Sequence, residues 1–209
     1  MQLIPYIGGP VDTILSGRAS RIQMKRLEQF VLELRSRLDA VEVINADVNG
    51  DEFSDFMLSA LEKVWRARTA EKRRYFADVV SRQVVEAHSW DDADMAIRLV
   101  AELESIHIDV LTAVLSVQQT KGNTTELNVV ALDAEPSGSV IGNFAQTLTS
   151  KLGGRYSNVA LRLACSELTA RGLLHDDGIG RWGAKAMTYF VATDLAVWLR
   201  SWLAQESET

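Results

Sequence analysis

The sequence holds a single cysteine, Cys165, and three prolines among 209 residues. One thiol cannot close an internal disulfide, which excludes a disulfide-stapled exported scaffold and fits a reducing compartment. No apolar run approaches the roughly 20 residues that a membrane helix needs. The N-terminus also lacks the basic patch, apolar core and cleavage site of a secretory signal. No membrane span and a cytoplasmic location are therefore expected. Positive charge is short overall: the formal net charge is −6, against a surface that seeks nucleic acid everywhere, because phosphate binding needs positive potential. Any such surface has to be local.

Catalytic and metal-binding signatures are missing too. His88, His107 and His175 are far apart, and none sits at ligand spacing with another His, Cys or carboxylate pair, so no zinc site or other cofactor is expected. "DVNGDEFSDFML" imitates a calcium loop through Asp47, Asn49, Asp51 and Asp55. It places Glu52 where the turn needs glycine and Leu58 where a bidentate glutamate belongs. "GIGRWG" has the spacing G-x-G-x-x-G, yet it lies between two strand-like runs and opens no helix. With no phosphate loop and no nucleophile elbow either, nothing in the linear sequence argues for an enzyme.

What is present is helical periodicity and charge in blocks. Residues 1 to 38 carry six basic and three acidic side chains, 39 to 62 none and seven, 63 to 82 seven and two, and 83 to 109 one and seven. Met24, Leu27, Val31, Leu34, Leu38 and Val41 form a heptad seam on a helix expected over 20–44. A second helix follows "NADVNGDE" with Phe53, Met57, Ala60 and Val64 on one face. A third, capped by Thr69, carries Phe76, Val80 and Val84. "SWDDAD" opens a fourth with Met95, Leu99 and Leu103 as its apolar side. Residues 1–104 thus read as a helical bundle preceded by an arm, "MQLIPYIGGPVDTILSG". The arm's two prolines and three glycines prevent one continuous helix, and its apolar residues need cover from the bundle or a partner.

Two features of this half have alternative uses. The seam serves as bundle core or as a homodimer interface; at about two and a half heptads it is short for a coiled coil. The charge blocks either pair positive first and third helices with acidic neighbours or leave "RARTAEKRR" and "RASRIQMKR" as an exposed basic face. The half as a whole is similar to helical segments of uncharacterised bacterial proteins.

Residues 105–209 have another rhythm. Ile106, Val110, Leu111, Val114 and Leu115 suggest a short helix. The polar segment from Gln118 to Ser139 is long for a connection and is expected to hold a strand, at "LNVVAL". A helix is expected over 140–152, ended by Gly153 and Gly154. Ser157 or Asn158 then caps a helix with Leu161, Ala164, Cys165 and Leu168 on one face, stopped by Gly172. "LLHDD" and "MTYFVAT", joined by "GIGRWGAKA", fit a hairpin, and Thr193 caps a last helix with Leu195, Trp198, Leu199 and Trp202 turned inward.

With "SNVALRLACSELTARGLL" as a recognition helix followed by a first wing strand, residues 105–203 resemble the winged helix-turn-helix superfamily. The fold expected is mainly α, an N-terminal helical bundle plus a winged-helix-like domain with a small β-hairpin. The resemblance implies a DNA-binding or regulatory protein in which Tyr156, Ser157, Asn158 and Arg162 face a major groove while Arg181, Trp182 and Lys185 of the wing touch the backbone or minor groove. Arg155 adds a charge beside the helix. From 140 to 190 there are six basic and three acidic residues, a net of +3, although Asp176 and Asp177 lie at the base of the wing. Many winged helices bind proteins, so an adaptor or assembly factor without nucleic acid is the competing expectation.

Overall fold

The structure, a computed structural model, describes residues 21–39, 46–48, 50–121, 129–133, 147–179 and 185–203. Its described residues are mainly helical, with one small antiparallel sheet. In chain order they form α1 (Arg21–Leu38), α2 (Asp51–Arg66), α3 (Ala70–Glu86), α4 (Trp90–Glu102), α5 (Ser105–Lys121), β1 (Val130–Ala131), α6 (Leu148–Leu152), α7 (Asn158–Ala170), β2 (Leu174–Asp176), β3 (Tyr189–Ala192) and α8 (Asp194–Trp202). The chain divides into two compact units. One takes residues up to Glu102 together with the chain end from Ser201, and the other is Leu103–Arg200. No described helix is long and apolar enough to cross a membrane.

In the first unit α1 packs on α3 and α2, and α4 packs on α3 and α2. The core stripe of α1 is Leu27, Phe30, Leu34 and Leu38. Met24 and Val31, assigned to the heptad seam, are only half-buried, and Phe30, which lies outside that seam, is fully buried. Residues 41–44, the end of the expected helix, lie outside the described residues, as do the arm and Asn49. The face of α2 is as expected and wider, adding Phe56 and Leu61 to Phe53, Met57, Ala60 and Val64. Thr69 caps α3, its side chain accepting from the Lys72 amide at 3.2 Å. The face of α4 needs correction. Ala93, Ala96, Ile97 and Val100 are buried; of the expected residues Met95 is exposed, Leu99 is half-buried, and Leu103, just past the helix end, is buried as expected. Two alanines let the helices approach closely and share the packed side with Ile97 and Val100.

The positive helices lie beside acidic ones as expected, α1 on α2 and α3 on α2 and α4, but these are not their main neighbours. The two positive helices, α1 and α3, are each other's main neighbours. Arg37 Nε meets Asp78 at 2.5 Å, Arg74 Nε lies 3.5 Å from Glu33, and Arg73 Nη2 donates to Gln29 at 2.7 Å. Partner numbers rise together on both helices, so α1 and α3 run parallel. Arg37 and Arg74 thus meet acids of these same two helices, while Arg26 reaches the Trp65 carbonyl of α2 at 2.8 Å.

In the second unit α5 continues through Lys121, well past a short helix, and packs on α6, α7 and β3. The sheet order is β1-β3-β2, all antiparallel, with Val130 opposite Phe190 and Leu174 opposite Ala192. Tyr189 and Phe190 point to opposite faces and are both fully buried, so the small sheet is covered on both sides. The helix expected over 140–152 begins only at Leu148. Thr147 is extended and caps it reciprocally with Ser150, at 3.0 and 2.9 Å; residues 140–146 lie outside the described residues. Gly172, at φ 72°, ends α7 in the left-handed conformation that glycine tolerates best. In α8 the buried residues are Ala196, Leu199 and Trp202, while Leu195 and Trp198 are half-exposed, a partial correction of the expected inward face.

Candidate functional site

The surface of the second unit that the sequence singles out is the outer side of α7. Ser157 is extended and its Oγ accepts from the Ala160 amide at 3.2 Å, so this hydroxyl is engaged as the N-cap. Leu161, Ala164, Cys165 and Leu168 fill the inner side. Burial pushes the Cys165 thiol up to about 12, against a small opposing effect of Arg162, so it is a packed, protonated side chain.

Two carboxylates from distant parts of the unit occupy the donors around the start of α7. Arg155 Nη1 and the Tyr156 hydroxyl both donate to Asp109 Oδ2 of α5, each at 2.7 Å. The Arg155 guanidinium also lies 5.2 Å from the Tyr156 ring centroid. Asn158 Nδ2 donates to Asp133 Oδ1 at 2.9 Å, and Arg162 Nη2 lies 3.4 Å from Asp133 Oδ2. Thr149 of α6 donates to the same Asp133 at 2.6 Å. Asp133, just after β1, thus ties β1, α6 and α7 into one corner.

Neither aspartate was singled out by sequence. The window from 140 to 190 that gives +3 leaves both out. Over the whole unit, 103–200, there are eight basic and nine acidic side chains, a net of −1. The available signal was a lone aspartate within the apolar "SIHIDVL" and another directly after "LNVVAL". Neither local pattern says what it pairs with.

Beside those engaged donors, the solvent-facing side of α7 also exposes two apolar side chains. Val159 is 79% exposed and Leu163 60%, one helical turn apart on the same side. Ser166 continues the exposed stripe. Glu167, at its flank, is held by His107: the Glu104 amide donates to Nδ1 at 2.9 Å, which leaves the ring proton on Nε2 to donate to Glu167 at 2.6 Å. His107 is buried and satisfied on both nitrogens, a brace between the start of α5 and α7.

In the hairpin, Asp176 is turned inward. Its carboxylate accepts from the amides of Gly178 at 3.0 Å and Met187 at 2.7 Å, and so knits the neck of the loop without facing a ligand. A Cβ on Gly178 would stand 2.5 Å from the Lys185 carbonyl oxygen, so glycine is what lets the two sides of the neck meet. Lys185 is exposed. Arg181 and Trp182 lie outside the described residues. Among the described residues no group of three or more His, Cys, Asp or Glu side chains is placed to hold a metal ion. Comparison of the chain with family models, curated protein sequences and solved structures finds no match.

Proposed function

We propose that the second unit is a winged-helix-like module that docks a protein partner through the outer side of α7. The order α5, β1, α6, α7, β2, β3, with β3 between β1 and β2, supports the winged-helix part of this reading. One observation carries the docking part: Val159 and Leu163 stand exposed one turn apart while Asn158 and Arg162, the donors a base-reading helix would use, are engaged by Asp133. Arg155 and Arg162 remain 53% and 52% exposed despite their ion pairs. The partner that fits is an apolar strip flanked by carboxylates, its apolar side chains on Val159 and Leu163 and its acids toward the two arginines.

DNA binding is the second reading, favoured by the same element order and by those half-exposed arginines. The two differ in an anisotropy titration with mixed-sequence duplex at low and moderate salt. Docking through α7 predicts no saturable binding at low salt. Binding that falls steeply with salt and weakens in Arg162→Ala supports the DNA reading instead.

A further inference from the structure

Among the described residues of the first unit, one buried cation has only neutral partners. α1 and α3 together carry nine basic and five acidic side chains, a net of +4, and they pack side by side. Two of the guanidinium groups between them meet carboxylates, Arg37 with Glu33 and Asp78 and Arg74 with Glu33, while the half-buried Arg26 donates to the Trp65 carbonyl at 2.8 Å. Arg73 differs. It is 7% exposed, and its partners are neutral: the carbonyls of Ala67 and Arg68 at 3.1 and 3.4 Å and the Gln29 side chain at 2.7 Å. Its Nε is buried with no hydrogen-bond partner, and among the described residues no carboxylate lies within ion-pair distance.

That arginine lines a groove of about 410 Å³ between the two helices. Gln29, Leu32, Glu33 and Ser36 contribute from α1, and Arg73 and Arg74 from the first turns of α3. Among the described residues the wall carries two guanidinium groups and one carboxylate, and Glu33 is engaged by Arg37 and Arg74. Ala70, the first residue of the 17-residue helix α3, also lines the groove. Leu32, 64% exposed, supplies an apolar edge.

We propose that this groove binds a small ligand bearing one oxyanion group, a carboxylate or a phosphate, which meets the Arg73 and Arg74 end while the ligand's apolar part lies on Leu32. A guanidinium is well shaped for an oxyanion, and the volume lies in the range of small-molecule sites. Burial, and after it the charge of Arg26, pushes the Arg73 guanidinium below its usual range, so an incoming anion relieves a cost already present in the fold. This inference rests on the first unit alone and is independent of the docking face on α7.

The test is thermal unfolding of the full chain at constant ionic strength, with inorganic phosphate, acetate or hexanoate replacing chloride. The expected result is a saturable rise in Tm with at least one oxyanion. A larger rise with hexanoate than with acetate identifies an organic carboxylate leaning on Leu32, and a rise with phosphate alone identifies a phosphate group. Ser36→Asp supplies a carboxylate from the wall of the groove itself; it should raise Tm without ligand and abolish the oxyanion effect. Arg73→Gln should abolish that effect as well. No rise over chloride with any of the three, or an equal rise in Ser36→Asp, overturns the proposal even where Arg73→Gln fails to fold.

Discussion

Arg162 and Asp133 lie 3.4 Å apart, joining the first half of α7 to the second residue after β1. The same carboxylate accepts from Asn158 and Thr149. Two groups that a helical wheel leaves free are therefore engaged, while Val159 and Leu163 beside them stay exposed. Replacing Asp133 by alanine should uncover both donors and loosen the corner. The expected outcome is a lower Tm together with newly acquired, salt-sensitive binding to duplex in anisotropy. Unchanged stability and unchanged binding would show that the corner does not hold these side chains.

Between α1 and α3 the buried Asp78 is the acid that Arg37 neutralises at 2.5 Å. Arg37→Met strips the charged partner from a buried carboxylate and should cost about 3 kcal/mol in denaturant unfolding. Asp78→Asn keeps the shape and removes the charge while Arg37 retains Glu33, so it should cost clearly less. An equal cost for the two would contradict the asymmetry.

Glu33 sets an acid limit. Its hydrogen bond to Arg37, strengthened by the charges of Arg37 and Arg74, outweighs partial burial and holds its carboxyl below the ordinary value of 4.5. A depressed carboxyl contributes stability that is present above the unfolded pKa and lost as pH falls through the folded one. Chemical unfolding followed from pH 7 downward should lose stability below about pH 4.5, and Glu33→Gln should flatten that limb. A limb of the same slope in the variant would assign it to other acids.

Cys165 should be silent. With its thiol pushed up to about 12 by burial, native protein at pH 8 should not react with a thiol reagent, and one equivalent should react on unfolding. Because the folded value is raised, the contribution is intact below the unfolded value near 9.0 and is lost as pH rises toward about 12. Rapid labelling of the native chain would mean that the inner side of α7 opens.

Much of α7 was legible in the sequence because its signals are local: Ser157 as cap, Leu161, Cys165 and Leu168 at helical spacing, and Gly172 as stop. The inner side of α4 was not, since half of it is Ala93 and Ala96, whose weak hydrophobic signal let Met95 set the phase in place of Ile97 and Val100. The matching of Arg155 and Tyr156 to Asp109, and of Asn158 and Arg162 to Asp133, joins residues 25 to 47 positions apart, and no periodicity encodes it. Block charge likewise hid the packing of α1 on α3. A sum over each helix says nothing of which acid reaches which arginine, or that Arg73 is left with neutral partners.

The docking surface is tested most directly by a photo-crosslinking amino acid placed at Leu163 of the full chain in the cells that make it, with the adducts then treated with nuclease or protease. Docking through α7 predicts one discrete adduct that survives nuclease, is destroyed by protease and is suppressed by Val159→Asp, a change at an exposed site that leaves the fold intact. An adduct destroyed by nuclease, or one that Val159→Asp does not reduce, would contradict it.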